Sequence, residues 1–289
     1  MKIFRFFCLG LIVALLSSCY SIEHHPLDRM PRVKGVFVTA YAGSPVAKRG
    51  KEYRRFLAPS IQIATSHATG SGTIVYHDLK TNTAYVATCG HLWPSGERTA
   101  KSLKGQNVEC TVIVWYHNNK KLDKPKRYKA QVKFWTYFYN NTDTGLVTFQ
   151  PDWLPEYFCV APLSYNLKKG GKYHSTGCDY GQEVAHYDVK IRNPNWWRHL
   201  ITENNNPRPG RSGGGLMSDD GYYVGTCWGT EQFGYFTPLS IIHKVWKKNG
   251  YGWLLEAPKW GLAQDIPIYD ARTGQRIPKS FILIPGQKE

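Results

Sequence analysis

Three polar residues of this chain stand in settings that suit nucleophilic catalysis at a carbonyl carbon. Ser212 lies between glycines in the run PGRSGGGL, and glycines permit the tight turn that exposes a hydroxyl and aims backbone N–H groups at an oxyanion. His91 ends the run VATCGH, and imidazole transfers protons near neutral pH. Asp143 directly precedes the strand-like run TGLVTF.

Each of these signals has an ordinary structural explanation when it is taken alone. A serine beside glycines is common in loops, and a single histidine is more often a satisfied structural residue. An aspartate before a strand is usually a turn residue. The order histidine, aspartate, serine, with each residue at the edge of a strand-like run, favours a shared catalytic role.

Short runs of β-branched and aromatic residues make up most of the chain. They are separated by Gly, Pro, Asn or Asp, and the 27 glycines and 17 prolines are typical of strands joined by turns. The predicted strand runs are 36–38, 61–63, 73–76, 84–88, 110–116, 128–138, 146–149, 184–191 and 222–227. We therefore expect a mostly β protein in which strand ends position the three candidate residues.

One segment near the end of this pattern predicts an amphipathic helix. Thr237 is expected to be its N-cap, Pro238 to occupy the first turn, and Asn249-Gly250 to stop it. The apolar stripe consists of Ile241, Ile242, Val245 and Trp246.

Taken together, the motifs resemble those of the trypsin-like (chymotrypsin-fold) serine proteases, particularly the bacterial branch without a zymogen N-terminus. The run GSGTIV at 70–75, followed by 84–91, is similar to the strands that lead into the catalytic histidine. DTGL at 143–146 resembles the aspartate motif, and GRSGG at 210–214 resembles Gly-x-Ser-Gly-Gly. The chain order also differs from those of the subtilisin and α/β-hydrolase groups.

This resemblance implies a fold and a division of the chain. The fold is all-β, with two six-stranded antiparallel β-barrels and a C-terminal helix. The peptidase domain would span 34–256, with a boundary between the barrels near 150–160, and 257–289 would be a C-terminal extension whose role the sequence does not indicate.

The resemblance further implies a serine endopeptidase that hydrolyses peptide bonds through an acyl-enzyme intermediate. Ser212 would attack the scissile carbonyl, His91 would take and return the proton, and Asp143 would hold the imidazole tautomer. The amides of Gly210 and Ser212 would form the oxyanion hole, in which one donor typically contributes about 2.7–4 kcal/mol. No metal and no organic cofactor is implied.

Four further residues are implied to bind substrate. Cys227-Trp228-Gly229 resembles the family's Ser-Trp-Gly strand, whose backbone pairs with an extended peptide. Asn206, six positions before Ser212, aligns near the floor of the first specificity pocket, where it would not favour Lys or Arg.

Three positions depart from the family pattern. Arg211 stands where Asp or Asn is frequent, which disfavours activation by an ion pair with a new N-terminus; it is expected to face acidic substrate groups or solvent. Cys227 replaces a serine that bonds the catalytic aspartate in relatives, and a thiol is a weak donor. Thr144 replaces an apolar residue.

The first nineteen residues have the layout of a cleaved export signal. Lys2 and Arg5 precede a short apolar run, and LSSC at 16–19 resembles a bacterial lipobox, so Cys19 is a candidate for lipidation. An ordinary signal peptide remains the alternative. Residues 20–33 would be a linker, and the protein is expected to be exported, as a membrane-anchored lipoprotein of the periplasm or cell surface or otherwise as a secreted protein.

The charge and the cysteines constrain the partners. The formal charge is +16, but the basic residues are dispersed except at 120–129, which we interpret as a solvated loop, so no nucleic-acid partner is expected. Without Cys8 and Cys19, five cysteines remain, an odd number that leaves a free thiol. Their spacing does not indicate zinc. They are Cys89, Cys110, Cys159, Cys178 and Cys227.

Two hypotheses from other classes stay beside the protease. One is a catalytically inactive protease-fold module that binds peptide or a cell-envelope component, which Arg211 and Cys227 mildly favour. The other is a basic surface protein that binds nucleic acid or anionic glycan through 120–129. The intact set of three residues favours the protease, whose partners would be a protein or peptide substrate and, through a lipid, the membrane.

Overall fold

The computed structural model describes twelve segments of the chain. They are 36–38, 56–78, 81–94, 96–117, 120–137, 142–152, 157–158, 166–196, 199–219, 222–255, 268–270 and 276–277. The expected signal peptide with Cys19, the linker 20–33, Cys159 and most of the extension lie outside the described residues. None of the helices described in these segments is both long and apolar enough to span a membrane.

Six antiparallel strands close into a first barrel, in the spatial order β2-β3-β4-β7-β6-β5. Alternate side chains such as Ile61, Ile63, Val86 and Val147 are fully buried and fill its interior, as expected where a sheet has one face on a core. The strands are β2 (Ser60–Ala64), β3 (Thr69–Asp78), β4 (Thr83–Thr88), β5 (Glu109–His117), β6 (Lys120–Thr136) and β7 (Thr144–Phe149).

A second six-stranded antiparallel barrel follows, in the order β10-β11-β14-β13-β12-β9. Its interior holds Val189, Ile191, Leu200, Leu216 and Phe236. The strands are β9 (Lys172–Gly177), β10 (Ala185–Trp196), β11 (His199–Thr202), β12 (Gly215–Ser218), β13 (Tyr223–Thr230) and β14 (Gly234–Pro238). The predicted pair of six-stranded barrels is confirmed.

Helix α1 (Leu239–Lys248) follows the second barrel, as predicted. Its apolar side packs into a third buried cluster, which also contains side chains of both barrels, such as Phe134 and Met217. The predicted cap was wrong by one residue, because Pro238 is the N-cap and the Thr237 hydroxyl instead donates to the Asp143 carbonyl oxygen at 3.1 Å. The predicted stop holds, with Asn249 as the C-cap and Gly250 at φ 82°.

A small sheet joins segments from far apart in the chain. Strand β1 (Val36–Val38) pairs in parallel with both β8 (Tyr157–Phe158) and β15 (Ile268–Asp270). Strand β16 (Arg276–Ile277) pairs antiparallel with β15. The segment interpreted as an extension therefore contributes two strands to a sheet that begins near the N-terminus.

The basic segment 120–129 is not a loop, which corrects the sequence-based expectation. It belongs to β6, which pairs with β5 along its length. Lys126 and Lys129 form ion pairs with Asp152 and Glu109 at 3.1 and 2.8 Å. The strand was hidden because Pro125 and the many lysines of this segment leave little of the apolar and polar alternation that predicts a strand.

Candidate active site

The described residues bring His91 and Asp143 together through three hydrogen bonds to one carboxylate. Asp143 Oδ2 lies 2.7 Å from His91 Nδ1, and Oδ1 accepts the amides of Gly90 and His91 at 2.7 and 2.9 Å. Asp143 is completely buried, and these three donors offset the loss of hydration. The arrangement places the proton on Nδ1 and leaves Nε2 as an acceptor.

Strand pairing explains why these two residues meet. Strands β4 and β7 are antiparallel neighbours in which Thr88 opposes Gly145, so His91 leaves β4 where Asp143 enters β7. Gly90 is required between them because a Cβ at this position would collide with the Thr136 carbonyl. The site therefore depends on the first barrel being closed.

Helix α1 supports the same corner from outside the barrel. Trp246 donates through Nε1 to the Thr144 hydroxyl at 3.1 Å, next to Asp143 in the chain. This contact explains a threonine where the resemblance implied an apolar residue, since a buried indole N–H needs an acceptor.

The surroundings of the imidazole shift its pKa upward. Burial lowers the pKa of His91, but the neighbouring Cys89 thiol and the Asp143 carboxylate raise it by more. Burial also raises the pKa of the Cys89 thiol, which is therefore neutral at physiological pH and contributes little charge. We attribute the upward direction mainly to Asp143, since an adjacent carboxylate favours imidazolium.

The turn that carries Ser212 is held against the first barrel by Ser71. The Ser71 amide donates to the Ser212 carbonyl at 2.7 Å, and the Ser71 hydroxyl donates to the Gly210 carbonyl at 2.8 Å. Thr88, three residues before His91, donates to the Ser71 carbonyl at 2.7 Å. This chain of bonds brings the serine turn to the end of β4, from which His91 emerges.

Two glycines allow the shape of this turn. Gly210 and Gly213 have φ of 90° and 89°, in the region that favours glycine. A Cβ would collide with the Cys178 carbonyl at the first position and with the Ser71 carbonyl at the second.

The amides of Gly210 and Ser212 have no hydrogen-bond acceptor among the described residues. Both are therefore available to a carbonyl oxygen of a ligand, as an oxyanion hole requires. Within the same part of the chain, the Ser212 hydroxyl makes no hydrogen bond, and His91 Nε2 has the Cys89 sulfur at 3.7 Å. Such catalytic bonds are often long before substrate binds.

Arg211 is buried, which corrects the expectation that it faces substrate or solvent. It is 1% exposed and forms a bidentate pair with Asp179, with Nε to Oδ1 at 2.8 Å and Nη2 to Oδ2 at 2.5 Å. Its guanidinium carbon lies 3.9 Å from the Tyr187 ring centroid, and the Tyr187 hydroxyl donates to Asp179. The residue before Ser212 is thus anchored to the turn after β9.

Sequence reasoning missed Asp179 and Ser71. The only signal for Asp179 was that a charged residue beside the serine needs a partner if it is buried. Nothing in the sequence singled out Ser71 within the run GSGTIV.

The residues implied to bind substrate lie on β13 and the loop after β11. The Cys227 backbone bonds the serine turn, accepting from Gly213 at 2.7 Å and donating to Gly214 at 2.8 Å. Gly229 is half-buried, and a Cβ there would meet no described atom within 4 Å. Trp228 donates to His199 at 3.0 Å, and exposed Asn206 donates to the Gln232 carbonyl at 3.0 Å. Their roles in substrate binding stay predictions.

The four described body cysteines are buried free thiols: Cys89, Cys110, Cys178 and Cys227. Burial raises the pKa of Cys227 far above its usual range, so its thiol is neutral. It lies behind the serine turn as a small apolar side chain.

No protein-family model matches the chain, and no curated protein matches it. Solved structures do. The serine endoprotease from Yersinia pestis is 18% identical with a TM-score of 0.51, and the match covers 71% of this chain and 65% of that protein. Deg5 is 16% identical with a TM-score of 0.50, and the match covers 66% of this chain and 88% of that protein.

This chain therefore spans about two thirds of the Yersinia pestis structure that it matches. At such low identity, the likeness concerns the fold. Together with the two closed barrels and the position of the candidate residues between them, it identifies the architecture as the double β-barrel of the trypsin-like serine proteases.

Proposed function

We propose that the protein is a serine endopeptidase in which Ser212, His91 and Asp143 form the catalytic triad. The observation that supports this most is the buried Asp143 carboxylate, which accepts three hydrogen bonds, one of them from His91 Nδ1. A module that only binds peptide does not require a buried carboxylate that fixes one imidazole tautomer.

The proposed reaction begins with attack of Ser212 Oγ on the scissile carbonyl carbon. His91 Nε2 takes the hydroxyl proton as the C–O bond forms, and Asp143 stabilises the resulting imidazolium. The carbon–nitrogen bond then breaks, and His91 gives the proton to the leaving amine. Water then attacks the acyl-enzyme with His91 again taking the proton, the bond to Ser212 Oγ breaks, and the carboxylic acid product is released.

The amides of Gly210 and Ser212 would bind the oxyanion of each tetrahedral intermediate. Arg211 contributes at a distance, because its pair with Asp179 fixes the peptide between these two donors. Positioned donors of this kind need no rearrangement as charge develops. Strand β13 near Gly229 would pair with an extended substrate backbone.

An inactive peptide-binding module is the second candidate. One observation favours it: no hydrogen bond between Ser212 Oγ and His91 Nε2 is described. The Cys89 sulfur lies 3.7 Å from His91 Nε2 instead. A peptide could still bind along β13 in such a protein.

Covalent labelling by a fluorophosphonate probe separates the two functions. We expect the purified protein to be labelled and the Ser212→Ala variant to remain unlabelled with an unchanged circular dichroism spectrum, since the hydroxyl makes no described contact. Ser66→Ala, at an exposed serine, is the matched control and should label normally. Equal labelling of Ser212→Ala would reject the nucleophile, and no labelling of the folded parent would favour the binding module.

Export and lipid anchoring at Cys19 complete the proposal, with a protein or peptide as substrate. Cys19→Ala should release the protein from the membrane fraction. Unchanged membrane association of this variant would count against a lipid anchor.

A further inference from the structure

A second cluster of histidines and aspartates lies on the second barrel, away from the proposed triad. His174 Nδ1 is 2.8 Å from His186 Nε2 and 3.1 Å from Asp188 Oδ1, and His186 Nε2 is 3.8 Å from the same oxygen. Two ring nitrogens and one carboxylate oxygen therefore converge on one point. His174 is buried and His186 is mostly buried, with side-chain exposures of 4% and 10%, whereas Asp188 is half-exposed.

The strand register creates this convergence. His174 on β9 lies directly opposite Asp188 on β10, and His186 stands two residues before Asp188 on the same face of β10. Strands β9 and β10 thus place these three side chains next to one another on one hairpin.

The triangle has the dimensions of a zinc site. Zinc binds imidazole nitrogen and carboxylate oxygen at about 2.0–2.2 Å in tetrahedral geometry, so neighbouring ligand atoms should lie about 3.4 Å apart. The observed separations of 2.8, 3.1 and 3.8 Å fall on both sides of this value. Solvent reaches Asp188, which leaves the fourth position to water.

Neighbouring groups orient two of the three ligands for a cation. His174 Nε2 lies 2.9 Å from Asp219 Oδ1, so the carboxylate holds the ring proton on Nε2 and leaves Nδ1 as a donor of electrons. Lys172 Nζ binds the other oxygen of Asp188 at 2.8 Å, which leaves Oδ1 to a metal. The Phe56 ring stacks on both histidines, with centroids 4.1 and 5.1 Å away, and shields the site.

Without a metal, a hydrogen bond joins the two histidines. With its proton on Nε2, neutral His174 can accept at Nδ1 from His186 Nε2 at 2.8 Å, while Asp188 Oδ1 lies 3.1 Å from the same nitrogen. A divalent ion would replace this hydrogen bond with bonds to all three atoms.

We propose that His174, His186 and Asp188 bind a Zn²⁺ ion, with Asp219 orienting His174. The mixed imidazole and carboxylate set suits zinc and disfavours calcium or magnesium, which prefer oxygen ligands. The ion would cross-link β9 to β10, and the contact of His174 with Asp219 would tie this hairpin to the turn after β12.

The cluster formed by Cys89, His91 and Asp143 also brings three potential ligands together, but it is a poorer metal site. Both oxygens of Asp143 are already occupied by N–H donors, and His91 Nδ1 faces one of them. Binding of a metal at Cys89 would be visible in the spectrum of the Co²⁺ form, because Co²⁺ bound to sulfur gives a near-ultraviolet charge-transfer band.

The test is metal binding by the chelator-treated full-length protein. Calorimetric titration should show one Zn²⁺ per chain, and Co²⁺ should give the visible spectrum of a four-coordinate ion without a thiolate band. At a hundredfold excess over the dissociation constant, zinc should raise Tm by about 5–10 °C.

Variants locate the ion. His186→Gln and Asp188→Asn should each weaken Zn²⁺ binding at least tenfold, and Asp188→Asn changes a half-exposed side chain whose pair with Lys172 is also exposed. His67→Gln, at an exposed histidine, and His91→Ala should bind zinc as the parent does. The proposal is overturned by a parent protein that binds no zinc, by unchanged affinity in both cluster variants, or by a thiolate band that disappears in His91→Ala.

Discussion

The two histidine–aspartate clusters use the same side chains for different purposes. At the proposed triad, Asp143 is completely buried and accepts three hydrogen bonds, one of them from the imidazole. In the second cluster, Asp188 is half-exposed, a lysine occupies one of its oxygens, and the other oxygen faces two ring nitrogens. A carboxylate with donors on both oxygens fixes a proton, whereas one with an oxygen directed at two imidazole nitrogens can share a cation with them.

This difference comes from where each cluster sits in the barrels. The aspartate of the proposed triad precedes β7 at a corner that helix α1 covers, and backbone amides bind its carboxylate. The second cluster lies on one hairpin beside a solvent-exposed turn. Identical residue types therefore predict chemistry only when their remaining hydrogen-bond capacity is known.

The largest expected effect is the loss of catalysis in Asp143→Asn. The amide cannot hold the Nδ1–H tautomer, so kcat should fall on the order of 10⁴-fold. The matched change Asp188→Asn should leave kcat within about a factor of two. Peptidase assays on both variants make the comparison, and a loss below tenfold in Asp143→Asn would show that the carboxylate does not orient His91.

Asp179→Asn should destabilise the fold by about 3–5 kcal/mol, because it leaves Arg211 charged and buried without its partner. Urea unfolding measures the change. The control is Asp152→Asn, which breaks an exposed pair with Lys126 and should cost less than about 1 kcal/mol. Similar values for the two variants would mean that burial adds nothing to the Arg211 pair.

Asp219→Asn should weaken Zn²⁺ binding by about 10–100-fold, as expected for loss of a carboxylate behind a metal-binding imidazole. The kcat of this variant should not change at saturating zinc. An unaltered zinc affinity would remove Asp219 from the site and leave the three ligands in place.

The smallest effect concerns pH. Since the pKa of His91 is raised and the base must be neutral, kcat/KM should fall on acidification with a midpoint above the ordinary histidine value of 6.5. Each unit of upward shift costs about tenfold in activity on the acidic side. Chelation of zinc should leave this midpoint unchanged, and a midpoint at or below 6.5 would contradict the assigned influence of Asp143.

The fold was largely predictable because its signals are local. The apolar runs at 61–63, 84–88 and 146–149 lie in barrel strands, and the stripe ending at Trp246 lies in helix α1. Four strands of the second barrel, β9, β11, β12 and β14, were missed, since short strands with Gly, His or Pro carry weak patterns.

The sequence predicted only those residues of the candidate site that belong to the family motifs. The motifs named Ser212, His91 and Asp143, but the partner of Arg211 lies 32 positions away, on a turn that only barrel closure brings near. His174 and Asp188 were invisible for a similar reason. They are neighbours only because of the register between β9 and β10. The register does not follow from the sequence positions of the two residues, and their spacing resembles no known metal motif.

The pairing of β1 with β15 has a consequence for how the molecule is made. Residues from opposite ends of the chain must meet before this sheet exists, so it forms after both barrels have been synthesised. A chain that stops before Ile268 would leave one edge of β1 unpaired and open to other strands. Truncated chains are therefore expected to aggregate more readily than chains that contain the C-terminal segment.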